Sequence, residues 1–188
     1  MNFFQGLASF PPTLKTERLI LRPLRMRDDR DMFAYAQDPE VSRHVLWEAH
    51  RSIGETRRFL RYAIRQYRRG FPGSLAIEWK ASGRMIGTVG FMWINGEYKS
   101  AEVGYSLSRD YWNRGIMTEA LRAVLAYGFD QLNLNRIEAQ HAVENPASGR
   151  VMEHVGMRYE GTLRQRLRNK GRYVDVKLYA ILREDSRL

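Results

Sequence analysis

The chain has 188 residues, of which 44% are hydrophobic and 28% charged, and it carries a formal net charge of +10 at pH 7. This length suits one domain with a sizeable core, and the composition argues against a disordered chain. Because the sequence contains no cysteine, it excludes disulfides, zinc–thiolate sites and any reaction that passes a group through a cysteine nucleophile. The positive charge favours anionic partners such as nucleic acid, phosphorylated cofactors or acidic proteins.

No segment predicts a membrane span, because the longest apolar runs are only a few residues. The chain begins with MNFFQGLASFPP, which lacks a basic stretch and meets two prolines early. This start does not predict a secretion signal. We therefore expect a cytoplasmic protein without a membrane partner.

The first elements are predicted to be a strand and two helices. Alternation predicts a strand over 17–22, and helical spacing predicts a helix over 28–37 that the Asp38-Pro39 pair should stop. A second helix is predicted over 52–69, with Pro72 just beyond its end.

The second helix concentrates the positive charge of the chain. Its basic residues are Arg57, Arg58, Arg61, Arg65, Arg68 and Arg69, and its apolar residues are Phe59, Leu60, Ala63, Ile64 and Tyr67. A solvated amphipathic helix explains this pattern, and a surface that faces RNA or the ribosome is the alternative. The sequence contains no recognised RNA-reading motif that would favour the second interpretation.

Three strands are predicted next, over 74–80, 85–94 and 100–108. The first two flank a turn at 81–84, and Asn95-Gly96 is a hairpin signal before the third. Together with the first strand, these segments indicate an antiparallel meander.

The second half predicts a helix over 115–131, a strand over 136–143, a short helix over 146–155 and a closing antiparallel pair over 159–167 and 172–182. Because a single crossover helix joins the strands on either side of it, those two strands should be parallel neighbours. The sequence therefore predicts a single-domain α+β fold, with a mixed, mostly antiparallel sheet of about seven strands flanked by helices.

The residues Asn113, Arg114 and Gly115 stand where the helix over 115–131 begins. A helix N-terminus exposes unpaired N–H groups and partial positive charge, so it can bind phosphate. Gly115 would let the backbone approach an anion, and Arg114 adds a cation. Taken alone, one glycine at such a junction usually indicates a tight turn, and neither the P-loop motif nor the dinucleotide-binding motif is present.

Two longer segments make this helix start more specific: EVGYSLSRDYWNRGIMTEAL and NRIEAQHAVENPASGRVMEHVGMRYEG. With the opening TERLILRPL and the closing RYVDVKLYAILRED, they resemble the GNAT superfamily of acetyl-CoA-dependent N-acetyltransferases. The chain is most similar to the ribosomal-protein-alanine (RimJ/RimL-like) branch. The resemblance covers about residues 14–185, which implies an N-acetyltransferase domain over 14–185 after an N-terminal extension over 1–13.

The family loop, Q/R-x-x-G-x-G/A, falls on residues 112–117. Gly115 matches the first glycine, Trp112 is the usual residue of the RimJ/RimL-like branch, and Met117 stands where a small residue is commoner.

The resemblance implies an acyl-CoA N-acyltransferase fold in which strands 100–108 and 136–143 begin parallel and then diverge. The pantetheine arm of acetyl-CoA would lie in that gap, and no metal is implied. Cofactor contacts are implied for Tyr105, Ser106, Leu107, Asn113, Arg114, Gly115, Ile116, Met117, Thr118, Asn145 and Ser148.

Glu102 is the first candidate for a general base. Alternation places it on one face of its strand beside the gap, and desolvation among apolar residues would raise the pKa of its carboxyl. An ion pair with one of the many arginines is the alternative role. Glu138 and His141 on the neighbouring strand are further candidates, for which ion pairing and packing are the alternatives.

Ser148 is the second catalytic candidate. In the family it lies near the thioester sulfur, so it would either protonate the departing thiolate or position the cofactor. Asn145 suits the N-cap of the helix over 146–155, with Pro146 as its first residue, and capping is compatible with a cofactor contact.

Three functional hypotheses follow. The first is direct transfer of an acetyl group from acetyl-CoA to a primary amine, either a protein N-terminal α-amino group or a small amine such as an aminoglycoside, a polyamine or an amino acid. The second is an RNA- or ribosome-binding module that uses the arginine-rich helix, and the third is an inactive acyl-CoA sensor. The expected partners are acetyl-CoA and an amine acceptor, with contact to the ribosome or a ribosomal protein through the basic face as an addition. A monomer and a homodimer are both open.

Overall fold

The computed structural model describes residues 11–70 and 73–186. Most of the predicted extension over 1–13, and Pro72 after the arginine-rich helix, lie outside the described residues.

The described chain forms one eight-stranded sheet with helices on both faces. The strands are β1 (Leu14–Lys15), β2 (Leu19–Arg22), β3 (Ser74–Trp79), β4 (Arg84–Asn95), β5 (Ser100–Leu107), β6 (Arg136–Ala142), β7 (Arg158–Asn169) and β8 (Arg172–Leu182). The helices are α1 (Asp29–Ala36), α2 (Pro39–Ser42), α3 (Ile53–Arg68), α4 (Ile116–Asp130) and α5 (Pro146–His154), with single 3-10 turns at Met26–Asp28, Arg109–Tyr111 and Arg183–Asp185.

The strand order is β1-β2-β3-β4-β5-β6-β8-β7. The strands β1 to β5 form an antiparallel meander, and the remaining antiparallel pairs join β6 to β8 and β8 to β7. Only β5 and β6 are parallel, because α4 connects them by a crossover. The predicted α+β fold and its parallel pair are confirmed.

Two short elements differ from the prediction. The strand β1 adds an eighth strand at the sheet edge, and two residues are too few to show alternation. The pair Asp38-Pro39 ends α1, but it also starts α2: the Asp38 side chain accepts a hydrogen bond from the Glu40 N–H at 3.0 Å, and Pro39 is the first helical residue. Proline at this position costs no hydrogen bond, since the first N–H groups of a helix are unpaired anyway.

Each face of the sheet has its own hydrophobic core. The helices α4 and α5 pack on one face around the residues Leu121, Leu125, Leu134, Ile137 and Ile181, all at most 1% exposed. On the other face, α1 and α3 pack through Met32, Tyr35 and Leu60 against Ala76 and Met85. Because Leu60 is fully buried, α3 directs its arginine-rich side away from the sheet.

A buried ion cluster fixes α1 relative to the meander. Arg22 donates two hydrogen bonds to the Asp28 carboxylate, at 2.8 and 2.9 Å, and its Nε donates to Glu78 at 2.6 Å. Asp28 also accepts from the Arg25 N–H at 2.7 Å. The Arg22 side chain is 5% exposed, so water cannot solvate its charge. The carboxylates of Asp28 and Glu78 compensate that charge instead.

Within residues 11–70 and 73–186, no helix combines the length and the apolar character needed to cross a membrane.

Candidate functional site

The sheet opens between β5 and β6. These strands pair at only three positions, Ser100 with Arg136, Ala101 with Ile137 and Glu102 with Glu138. Beyond these pairs β6 bonds to β8 along its whole length, while residues 103–107 of β5 have no strand partner on this side. The predicted divergence of the two strands is therefore confirmed, and it leaves a gap bordered by an unpaired strand edge.

The direction of each backbone group on β5 follows from its pairing with β4. The Ser108 N–H bonds the Ile86 carbonyl at 2.8 Å. The backbone N–H and C=O groups of the even-numbered residues of this stretch therefore point toward β4, and those of the odd-numbered residues point toward the gap. Tyr105 and Leu107 thus present their backbone groups to the gap. Ser106 turns its backbone toward β4, and its hydroxyl lies 3.0 Å from that of Thr88.

The loop before α4 ends at the open end of this gap. Gly115 is the N-cap of α4 and adopts a left-handed conformation (φ 68°), and Asn113 also has a positive φ of 59°. The backbone N–H groups of residues 113–118 donate no hydrogen bond to any described residue, and the helical pattern starts with the Glu119 N–H to the Gly115 carbonyl at 3.0 Å. A Cβ added at Gly115 would meet only the Arg18 Nη2, at 3.8 Å. The loop is therefore an open cradle of amides suited to a diphosphate.

The side chains of the loop leave this cradle accessible. Ile116 and Met117 are 1% and 6% exposed and pack into the core, so the larger side chain of Met117 does not obstruct the loop. Trp112 donates from Nε1 to the Leu107 carbonyl at 2.8 Å, which fixes the loop to the end of β5. The Arg114 guanidinium lies 5.6 Å from the centre of the Tyr111 ring.

A carboxylate in the first turn of α4 fixes the loop through hydrogen bonds to Thr16 and Arg18. We call this network the Glu119 brace. Glu119 accepts hydrogen bonds from the Thr16 hydroxyl at 2.6 Å, from the Arg18 N–H at 2.8 Å and from the Arg18 Nε at 2.6 Å. The Arg18 Nη1 then donates to the Arg114 carbonyl at 3.0 Å. Burial would raise the pKa of Glu119, but the hydrogen bonds from Thr16 and Arg18 outweigh it and lower the pKa. Sequence reasoning missed this brace, although an acidic residue in a first helical turn is a known stabilising pattern.

Across the gap, α5 meets β5 through Tyr105 and Ser148. The Tyr105 hydroxyl lies 3.0 Å from the Ser148 carbonyl and 2.9 Å from the Ser148 hydroxyl. Burial raises the pKa of Tyr105. The Asn145 side chain accepts from the Ser148 N–H at 3.3 Å and Pro146 begins the helix, so the predicted cap is confirmed.

Glu102 lies where β5 and β6 begin to separate, on the opposite face of the sheet from Tyr105. Its carboxylate accepts from the Trp93 Nε1 at 2.7 Å and from the Gln140 Nε2 at 2.9 Å. Both donors are neutral, and within the described ranges no arginine or lysine forms an ion pair with it. The arginine-pairing alternative is therefore wrong for Glu102. Sequence reasoning did not identify Trp93 and Gln140, because a β-bulge after Phe91 sets which β4 residue faces Glu102.

The other two candidates for the general base, Glu138 and His141, are held by an ion pair and by packing. Glu138 accepts from the Arg136 Nε at 3.0 Å, and the same arginine pairs with Glu160. His141 packs on the α5 side of the sheet, where its Nδ1 bonds the Ala142 carbonyl at 2.8 Å. Its Nε2 has no partner among the described residues, and burial lowers the pKa of the ring.

An open groove of ≈ 740 Å³ continues from the loop along the outer side of α4. Its lining includes Arg18, Gly115, Thr118, Glu119 and Arg122. The residues of the gap between β5 and β6 do not line this groove. In the part of the chain that the structure describes, no cluster of three or more histidine, aspartate or glutamate side chains could hold a metal ion.

The sequence over residues 18–158 matches the family description of an acetyltransferase (GNAT) domain. An uncharacterized N-acetyltransferase of Bacillus licheniformis, p20, is 34% identical over 173 residues, which are 92% of this chain and 97% of the relative. The ribosomal-protein-serine acetyltransferase of Escherichia coli is 30% identical over 126 residues, which are 67% of this chain and 69% of that protein.

Solved structures of acetyltransferases superpose on most of the chain. A GNAT-family acetyltransferase from Bacillus anthracis superposes with a TM-score of 0.83 at 29% identity, over 92% of this chain and 99% of that one. Mycobacterium smegmatis RimJ, solved in complex with CoA-disulfide, superposes with a TM-score of 0.82 at 27% identity, over 95% and 91% of the two chains.

Proposed function

Since the chain belongs to the GNAT family of acetyl-CoA-dependent N-acetyltransferases, we propose that its acceptor is the α-amino group of a protein N-terminus. The observation that carries this proposal is the Glu102 carboxylate at the point where the gap closes: two neutral donors hold it, whereas its neighbour Glu138 is paired with Arg136. An α-amino group has a pKa around 7.7–8.0 and is already partly neutral at pH 7, so one weakly basic carboxylate suffices to remove its proton.

Acetyl-CoA supplies the activated acetyl group, and we assign its binding to the gap and the loop before α4. The free amides of residues 113–118 hold the diphosphate, with Arg114 as an additional cation. The backbone groups of Tyr105 and the Leu107 N–H, which have no strand partner on this side, bond the pantetheine arm in the manner of an added strand. Asn145 and Ser148 border the arm from the α5 side.

The chemistry requires two proton transfers on opposite faces of the sheet. Glu102 accepts the proton of the acceptor amine, whose nitrogen forms the new bond to the acetyl carbon as the carbon–sulfur bond breaks. Ser148 provides a proton to the departing thiolate, directly or through water. Both side chains then exchange protons with solvent, so the enzyme returns to its starting state.

Two further facts favour a protein N-terminus over a small polycation. The net charge of +10 repels a polyamine at long range. The E. coli relative named for acetylating a ribosomal protein matches over 126 residues, a longer stretch than the 102 residues matched by the spermidine N(1)-acetyltransferase of Vibrio cholerae. A lysine acceptor is less suitable, because its side-chain pKa of about 10.4 leaves it almost fully charged at neutral pH.

The test is thiol release from acetyl-CoA with a panel of amines. The panel contains one peptide with a free N-terminus and an internal lysine, the same peptide with a blocked N-terminus, spermidine and an aminoglycoside. We expect release with the free peptide alone. Equal release from the blocked peptide would assign the lysine as acceptor, and a stronger response to spermidine or the aminoglycoside would replace the protein acceptor by a small amine.

A further inference from the structure

The outward side of α3 forms a second charged surface, on an element that does not border the gap between β5 and β6. We define the basic face of α3 by four exposed arginines, Arg58, Arg61, Arg65 and Arg68. Their spacing of three and four residues aligns them along the solvent side of the helix. Since α3 rises about 1.5 Å per residue, the row extends over roughly 15 Å.

Several arginines elsewhere in the described ranges have carboxylate partners, which the four arginines of the basic face lack. Arg18, Arg22, Arg84 and Arg136 form ion pairs with carboxylates, and in α3 itself Arg57 pairs with Asp29 at 2.7 Å. The four residues of the basic face form no ion pair within the described ranges. The acidic residue of the helix, Glu55, instead accepts from the Arg51 N–H at 2.9 Å. The positive charge of this face is therefore left for an external anion.

Two exposed aromatic side chains each directly follow an arginine of the basic face in sequence. Tyr62 is 58% exposed and Phe59 is 40% exposed, and they stand three residues apart on the helix. Burial of a large ring is worth up to about 3 kcal/mol, so a partner that covers these two rings would gain free energy from their burial. Cations that follow a phosphate backbone, combined with rings on which bases stack, are the usual way to bind single-stranded nucleic acid.

We propose that the basic face of α3 binds single-stranded RNA, with the four arginines on the phosphates and with Tyr62 and Phe59 stacked on bases. Recognition of RNA mainly targets loops, bulges and ends, where unpaired bases are free to stack on aromatic side chains, so we take RNA as the occupant. An acidic protein would satisfy the arginines but not the exposed rings. The proposal does not depend on which amine the enzyme acetylates. The helix α3 packs on the sheet through Leu60, so a ligand on the opposite, basic face of the helix would leave the gap assigned to acetyl-CoA unaffected.

The first experiment measures the anisotropy of a fluorescein-labelled 12-nucleotide RNA titrated with the full-length protein at several salt concentrations. The test variant carries R58Q, R61Q, R65Q and R68Q. The matched control carries R164Q, R166Q, R168Q and R172Q, which removes the same charge from four exposed arginines of the β7–β8 hairpin that also form no ion pair within the described ranges.

We expect the α3 variant to lose at least tenfold in affinity and to lower the salt slope by about 3, since each phosphate contact with a single strand contributes roughly 0.7. The hairpin variant should lose clearly less. Equal losses would show that only net charge matters, and absence of RNA binding by the native protein would overturn the proposal. Unchanged acetyl-CoA affinity in both variants verifies that they are folded.

A second experiment tests the rings and the type of partner. Y62S should weaken RNA binding by about tenfold, as expected for loss of one stacked base, and it should leave the salt slope unchanged. Polyglutamate and anionic lipid vesicles are added as competitors at equal charge. If either displaces RNA as well as unlabelled RNA does, or if Y62S binds normally, the partner is another polyanion and the RNA assignment is wrong.

Discussion

The hydroxyl groups of Tyr105 and Ser148 lie 2.9 Å apart and join β5 to α5 across the site. The Tyr105 hydroxyl has a single proton, which it donates to the Ser148 carbonyl at 3.0 Å. The Ser148 hydroxyl is therefore the donor in the contact between the two side chains. Because burial raises the pKa of Tyr105, the tyrosine stays protonated at neutral pH and holds the Ser148 hydroxyl, which has to leave this contact and turn toward the sulfur before it donates its proton.

This arrangement separates the roles of the two hydroxyls. Removing the proposed proton donor in Ser148→Ala should lower kcat roughly 10²-fold, which is the usual contribution of a general acid. Tyr105→Phe removes only an orienting hydrogen bond of about 1 kcal/mol and should cost roughly fivefold. Steady-state kinetics with the peptide acceptor measures both. A Tyr105→Phe loss as large as that of Ser148→Ala would make the tyrosine the donor.

Glu102 and Glu138 stand opposite each other in the last pair of β5 and β6, so they form a matched test of the general base. Glu102→Gln should lower kcat by roughly 10²-fold or more and leave acetyl-CoA affinity within twofold. Glu138→Gln should keep kcat and cost at most about 1 kcal/mol of stability, because it weakens only a partly exposed ion pair with Arg136. The reverse result would assign the base to Glu138.

Gly115 and Gly83 have nearly the same left-handed backbone, with φ of 68° and 67°, and both have room for a side chain. Leucine at either position should cost about 1–2 kcal/mol of stability, since the conformation disfavours a Cβ. Only Gly115→Leu places bulk over the free amides of residues 113–118, so only this variant should weaken acetyl-CoA binding, by tenfold or more. Calorimetry with acetyl-CoA and thermal unfolding separate the two effects. An equal loss of affinity in Gly83→Leu would exclude a local role for Gly115.

Glu119 makes the stability of the protein depend on pH. Its pKa is lower in the folded protein than in the unfolded chain, so its contribution is complete above the unfolded pKa of about 4.3. That contribution is lost as the pH falls through the folded pKa. Glu119→Gln should therefore cost about 1 kcal/mol at pH 7, since Arg18 is partly exposed. It should also make the unfolding free energy fall less between pH 5 and 3.

Denaturant unfolding at a series of pH values checks this expectation. Glu184→Gln is the control, because it removes an exposed carboxylate in the turn Arg183–Asp185 that forms no side-chain hydrogen bond or ion pair with a described residue. Native-like pH dependence in Glu119→Gln would show that the brace adds nothing to stability.

Local patterns in the sequence determined the secondary-structure elements and the backbone features at the start of α4 and α5. Alternation and helical spacing fixed the strands and helices to within a few residues, because these periods follow from backbone geometry alone. The capping pair Asn145-Pro146 and the glycine at the start of α4 are also local features, readable without knowledge of the sheet. The short elements β1 and α2 were missed, since two and four residues are too few to show a period.

The tertiary structure decided the partners of each functional side chain. Glu102 meets Gln140 across 38 residues of sequence, Tyr105 meets Ser148 across 43, and Glu119 meets Arg18 across 101. Such contacts depend on where two strands stop pairing, on a bulge in a third strand and on how a helix packs on the sheet. No local period encodes these relations, because they arise only when distant segments come together in one register.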